Sequence, residues 1–323
     1  MKRNIFLVLI LLTSLSNLFA QLPSVNKAKA LKMKERVLIV AFEEEDPSVI
    51  KKQALAGADL KRYKDQIEGR NFALKTAFES FWKFNSSIQY MPYSKALELS
   101  TKEKNKYVIA RYNTPVDPKF SIKKTKNGVQ IGWLKENNAF TYNSFTRQTH
   151  AVNKPLKLTF EMPKEAMFMY LPNFFPAKSD LVYAVKTLQF ICNYMLESEK
   201  HNVGMLKNKK LDDKNAELKD MTLYVDKGDC NPPMTEIQVK KLYPYELKTV
   251  FFNNIEDAWQ GNDAKIAIMV PFIYEKGKDK EVQKVRANAI VNSATGKIYC
   301  VDCLKFKFGE YEDPDAERTF DEH

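Results

Sequence analysis

The chain is poor in the residues that most reaction centres are built from. Across 323 residues there are 3 histidines, 4 cysteines and 10 glycines, which leaves little material for a histidine-based metal centre or a dense disulfide scaffold. The histidines, His150, His201 and His323, are far apart in sequence. No Gly-x-Gly-x-x-Gly, no phosphate-cradling Gly-Lys-Ser/Thr loop and no Gly-x-Ser-x-Gly elbow occurs, so dinucleotide binding, nucleotide hydrolysis and acyl transfer have no signature. Carboxylate pairs of the glycosidase type come from anywhere in a chain and leave no spacing to read. Arginine is also scarce: eight of the 51 basic residues. Arginine is the preferred fork for phosphate, and lysines spread through almost every segment read as a solvated surface rather than a groove. No basic stripe is interleaved with aromatics as in single-strand binders. A nucleic-acid partner is therefore not expected. With 44% apolar and 28% charged residues, the chain belongs with globular proteins rather than disordered ones.

What is present begins with an address. Lys2 and Arg3 precede an apolar run from Ile5 to Leu12, followed by Ser16-Asn17-Leu18-Phe19-Ala20-Gln21. A cationic start, a short apolar centre and a small residue before a polar one make a secretory signal peptide over residues 1–20, cleaved after Ala20. The run is too short for the ~20 apolar residues of a spanning helix and is broken by Thr13, Ser14, Ser16 and Asn17. No cysteine stands near the cleavage point to carry a lipid. The other long apolar stretch, Ile266 to Tyr274, contains Pro271. The expectation is an exported protein, periplasmic or secreted, that does not span a membrane after processing.

Charge is unevenly placed. The formal net charge is +11, and removal of Lys2 and Arg3 leaves +9. The tail, residues 310–323, holds seven acids against Arg318 and reads as acidic and disordered, so residues 21–309 carry +15. That surface suits another envelope protein or an anionic envelope component as partner.

The expected fold class is α/β, mixed with α+β: two β-α-β-α-β-like modules joined by a β-rich antiparallel segment. Residues 21–34 read as a loose leader. The first module, residues 35–115, opens on Val37-Leu38-Ile39-Val40-Ala41-Phe42, an unbroken apolar run suited to a strand covered on both faces. Asp46-Pro47 starts a helix, and Leu60, Tyr63, Ile67, Leu74, Phe78 and Phe81 recur at helical spacing, weakened by Gly69 and interrupted by Asn71. Ile88–Tyr90, a helix capped by Ser94, and Tyr107–Ala110 complete the module. Residues 116–172 carry several strand candidates without helices, including a hairpin turning at Asn127-Gly128. The second module, residues 173–309, holds a helix capped by Ser179 with the stripe Leu181, Val185, Leu188, Cys192 and Met195. A strand at Thr222–Val225, a helix at residues 235–242 and a strand at Leu247–Phe252 come next. A capping box, Asn253 with Glu256, opens a short helix ended by Gly261. The strand Ala264–Phe272 and a hairpin of Val285–Val291 with Ile298–Leu304 close the module. The halves read as one plan used twice, a degenerate repeat, although residue identity between them is too low to prove duplication. The element order is similar to the small modules of bacterial periplasmic proteins such as the TolB N-terminal domain. That likeness covers architecture only, shares no motif residues and implies no function.

Two constellations carry chemistry. Glu43-Glu44-Glu45-Asp46 stands at the carboxyl end of the first strand, where open α/β sheets place ligands, and oxygen ligands suit Mg²⁺ or Ca²⁺. Adjacent acids cannot all converge on one ion, and a charge run is more often a solvated turn, so no metal or other cofactor is implied. Cys300-Val301-Asp302-Cys303 has redox spacing but lies in a strand, where the odd offset sends the side chains to opposite faces. Structural disulfides among Cys192, Cys230, Cys300 and Cys303 fit an exported chain better, with three connectivities open and Cys192 a candidate buried thiol. The expected function is a binding or assembly protein of the bacterial envelope without catalytic activity. The alternatives are a metal-dependent or carboxylate-based hydrolase using Glu43 to Asp46 and, ranked below it, a thiol oxidoreductase using Cys300 and Cys303.

Overall fold

Six consecutive apolar residues fold as the first strand because both of their faces are covered. The computed structural model describes residues 26–52, 57–113, 119–125, 128–135, 138–141, 157–162, 165–171, 178–197, 213–227, 243–276 and 283–301. The expected signal peptide, acidic tail, 235–242 helix and all three histidines lie outside them. In β1 (Val37–Phe42), Leu38, Ile39, Val40 and Ala41 are fully buried, and a fully buried Leu, Ile or Val contributes about 1.5–3 kcal/mol over an exposed one. Leu38 and Val40 join one core cluster and Ile39 and Ala41 another, as alternation requires.

The chain then runs through α1 (Lys27–Lys34) before β1, and α2 (Pro47–Lys52), α3 (Gly57–Phe81), β2 (Ile88–Pro92), α4 (Tyr93–Lys102) and β3 (Tyr107–Asn113) after it. Residues 27–34 were expected within a loose leader and are helical instead. Asn26 caps α1 by accepting the Lys29 N–H at 2.9 Å, and Ala30 and Met33 are buried. Asn85 fixes its end, donating to the Met33 and Arg36 carbonyls while accepting from the Trp82 indole. A two-residue apolar face is too small to register as helical periodicity.

The segment read as one β-rich bridge divides. The strands β4 (Lys119–Thr125), β5 (Gly128–Lys135) and β6 (Asn138–Thr141) form a separate antiparallel sheet. The pairing Thr125↔Gly128 places Gly128 in the strand rather than in the turn, and Asn127 lies outside the described residues. In contrast, β7 (Lys157–Met162) and β8 (Glu165–Tyr170) join the first sheet, whose order is β2-β1-β3-β7-β8. The first three strands are parallel, and β7 and β8 continue antiparallel.

Beyond them lie α5 (Lys178–Glu197), a 3-10 helix at Asp213–Asp220, β9 (Thr222–Asp226), β10 (Leu247–Val250), α6 (Phe252–Gln260), β11 (Ile266–Lys276), β12 (Gln283–Asn292) and β13 (Ile298–Val301). The second sheet has the order β10-β9-β11-β12-β13, again three parallel strands followed by two antiparallel ones. The α/β class with mixed sheets is therefore observed. One core cluster runs from β1, β3, β7 and α3 through α5 to α6, β11, β12 and β13, with every residue from Ser179 to Leu188 buried. The helix expected to open the second module is the centre of a core that both sheets share.

Three helix starts differ from expectation. Ser179 and Asn253 fall inside the first turns of α5 and α6, and the residue before α6, Phe251, makes no side-chain cap. Ser94 likewise sits inside α4. At the C-terminal end of α6, Gly261 does terminate the helix, its N–H reaching the Asp257 carbonyl at 2.8 Å. No described helix is long and apolar enough to cross a membrane.

Candidate functional site

The carboxyl edge of the first sheet is where its topology reverses. The β1-to-β2 crossover, α3, packs with Leu38, Val40, Val108 and Ala110, whereas the β2-to-β3 crossover, α4, places Ala96 with Ile39, Ala41 and Ile109. The crossovers occupy opposite faces, so the carboxyl ends of the paired strands β1 and β3 form the switch point at which open sheets bind ligands. The acidic run Glu43 to Asp46 leaves β1 at this edge.

Each acid meets a different partner. Glu43 takes a two-pronged ion pair from Arg70 of α3, Nε at 2.8 Å and Nη2 at 2.9 Å, both side chains about three-quarters buried. Asn71 beside it reads the Glu43 backbone as a neighbouring strand would: Oδ1 accepts the Glu43 N–H at 2.8 Å and Nδ2 donates to the Glu43 carbonyl at 2.9 Å. Glu44 caps α4, accepting the Ser94 N–H at 2.7 Å and the Ser94 hydroxyl at 2.9 Å. A carboxylate there also meets the positive end of the helix. The exposed Glu45 pairs with Lys64 at 2.9 Å. Asp46 caps α2 through the Ser48 N–H at 2.8 Å and donates its own N–H to the Tyr63 hydroxyl at 2.9 Å. Burial raises the Tyr63 phenol above its ordinary value, with Glu43 and Asp46 adding to the rise and the Asp46 N–H and Arg70 opposing it.

Across the edge a second Arg–Glu pair mirrors the first. Arg111 of β3 donates from Nε to Glu161 of β7 at 2.8 Å, and its guanidinium lies 4.1 Å from the centre of the Tyr93 ring. Burial raises the Tyr93 phenol; Arg111 lowers it in part and Glu161 raises it. The edge is thus lined by charges neutralised within the fold. No group of three or more His, Cys, Asp or Glu among the described residues is arranged to hold a metal ion. The four acids are engaged by different neighbours, in capping and pairing contacts to Arg70, Ser94, Lys64 and Ser48. The geometry supplies a polar, charge-balanced rim.

The cysteines sit elsewhere. Cys192 is a free, fully buried thiol of α5, its sulfur 3.9 Å from that of Met167, and burial pushes its pKa far above the ordinary thiol range. That holds it as an unreactive packing residue. Cys300 is buried in β13. No disulfide has both sulfurs among the described residues, and Cys230 and Cys303 lie outside them. The β12–β13 pairing shifts register, Ile290 facing Cys300 and Val291 facing Ile298, so Tyr299 is the extra residue of a bulge.

Sequence reasoning did not identify Arg70, Tyr93, Arg111 or Glu161 as parts of this edge. Asn71 did leave a trace, as the polar residue that interrupts an apolar helical stripe. No protein-family model, no curated protein and no solved structure matches the chain.

Proposed function

We propose that the chain is exported and acts in the bacterial envelope as a binding or assembly protein, with no bond-breaking chemistry of its own. The observation that carries this reading is the use of Glu43, Glu44, Glu45 and Asp46 as caps and ion-pair partners of four different neighbours. A hydrolytic centre needs one carboxyl held protonated or one carboxylate held free beside its substrate, and these groups are committed to the fold. The amino-terminal sequence, with Lys2 and Arg3 before the Ile5–Leu12 run, supports export. The common strand order of the two sheets supports a duplication of one module. The charge of +15 over residues 21–309 favours an anionic surface on the partner, either an envelope protein or an anionic envelope component.

Crosslinking in intact cells, followed by recovery of the processed chain from the envelope fraction, tests the proposal. A defined adduct whose yield survives E45Q and D46N, and weakens with salt, is expected. A substrate turned over by the wild type and abolished by those two conservative changes would replace this reading with a carboxylate-based hydrolase.

A further inference from the structure

The central helix buries a lysine. Lys186 is 3% exposed in α5, on a stretch otherwise closed to water, and no carboxylate among the described residues lies within ion-pair distance of it. Its ammonium instead spends its three N–H donors on three backbone carbonyls: Trp259 at 2.7 Å, Ser293 at 2.8 Å and Gly261 at 3.1 Å. The ring of Phe81, from the last turn of α3, stands 4.3 Å from the nitrogen.

The three carbonyls belong to two chain ends that need fastening. Trp259 and Gly261 end α6, where the last carbonyls lack intrahelical donors and the helix presents its negative pole. Ser293 belongs to the turn between β12 and β13. That turn is organised by Asn292, whose Oδ1 accepts from the Ala294 N–H, the Thr295 N–H and the Thr295 hydroxyl. The turn presses directly on α5. Gly296 has φ +72°, and a Cβ there would stand 2.3 Å from the Lys186 carbonyl carbon. Burial pushes the Lys186 ammonium down to about 8. The carbonyl acceptors and the helix pole favour the charged form and work against that push.

We propose that the Trp259, Gly261 and Ser293 carbonyls with the Phe81 ring form a cage for an ammonium-type cation, filled by the chain's own Lys186. The filled cage is a latch that holds the end of α6 and the β12–β13 turn against the central helix. The oxygen distances are those of charged N–H···O bonds and exceed calcium–oxygen distances, and the aromatic face adds attraction for a monovalent cation.

Two variants test the latch by thermal unfolding and by hydrogen exchange of residues 259–263 and 292–297. K186A empties the cage, and K186M fills the lysine's path without a donor. Both are expected to lower Tm by about 5 °C or more and to speed exchange at both segments together. In K186A, n-propylammonium chloride should restore part of the loss, whereas n-propanol and tetramethylammonium chloride at equal concentration should not. If K186A does not fold unaided, the same three additives are compared in refolding. A K186M chain as stable as wild type, or rescue of K186A by propanol or tetramethylammonium as strong as by propylammonium, overturns the proposal.

Discussion

Asn71 shows how one side chain can decide what an acidic run does. By pairing with both backbone groups of Glu43, it holds the exit of β1 so that Glu43 faces Arg70 and Glu44 reaches Ser94. Replacing it with alanine removes two hydrogen bonds and leaves the partly buried Glu43 N–H and carbonyl without their partner. N71A is expected to lower stability by about 1–3 kcal/mol, measured by urea unfolding with an unchanged m-value. A loss below about 0.5 kcal/mol would mean that water replaces the amide without cost. Lys186 is the same lesson in a dry setting. Lys186 lies beside the apolar stripe of its helix rather than in it, and its acceptors come from 73 to 107 residues away, so no local pattern names them.

At the scale of elements, what local pattern could reveal was largely legible. Strand β1, the long stripe of α3 and the β12–β13 hairpin lie where apolar runs and spacing put them. Asp46-Pro47 opens α2 as its residues suggest. The starts of α4, α5 and α6 do not follow the expected caps, because a cap is decided by whichever acceptor reaches the end of the helix. For α4 that acceptor is Glu44, 50 residues from Ser94, rather than a neighbouring hydroxyl. The joining of β7 and β8 to the first sheet was hidden for the same reason: Arg111 pairs with Thr159 across a long excursion that includes a separate sheet. Gly69 offers a clean test of α3. It lies on the exposed side of a 25-residue helix, and a Cβ there meets nothing within 4 Å. G69A is expected to raise stability by about 0.5–1 kcal/mol, read as a higher urea midpoint. Destabilisation instead would show that α3 needs to bend at that turn.

At the scale of the whole molecule, two sheets of identical strand order share one core, with α5 between them. Sharing makes the two sheets dependent on one another, so urea unfolding should be a single transition. A separate cluster on the second sheet buries phenols, which sets the alkaline limit. Burial raises the Tyr243 and Tyr299 hydroxyls, with Tyr245 adding at the first and Glu217 at the second. Above about pH 10 the unfolded chain loses protons that the folded chain keeps, so stability falls as pH rises. The double variant Y243F/Y299F should lose less stability than wild type between pH 10 and 11, roughly one pKa span of ordinary tyrosine. Parallel pH profiles would contradict the assignment of these groups.

Most depends on residues 1–20 being an export signal ahead of a fold whose acids serve structure. Intact-mass measurement of the chain recovered from fractionated cells tests this directly. The account predicts a polypeptide beginning at Gln21 in the periplasmic or extracellular fraction; a full-length chain that starts at Met1 and stays in the cytosol would contradict it.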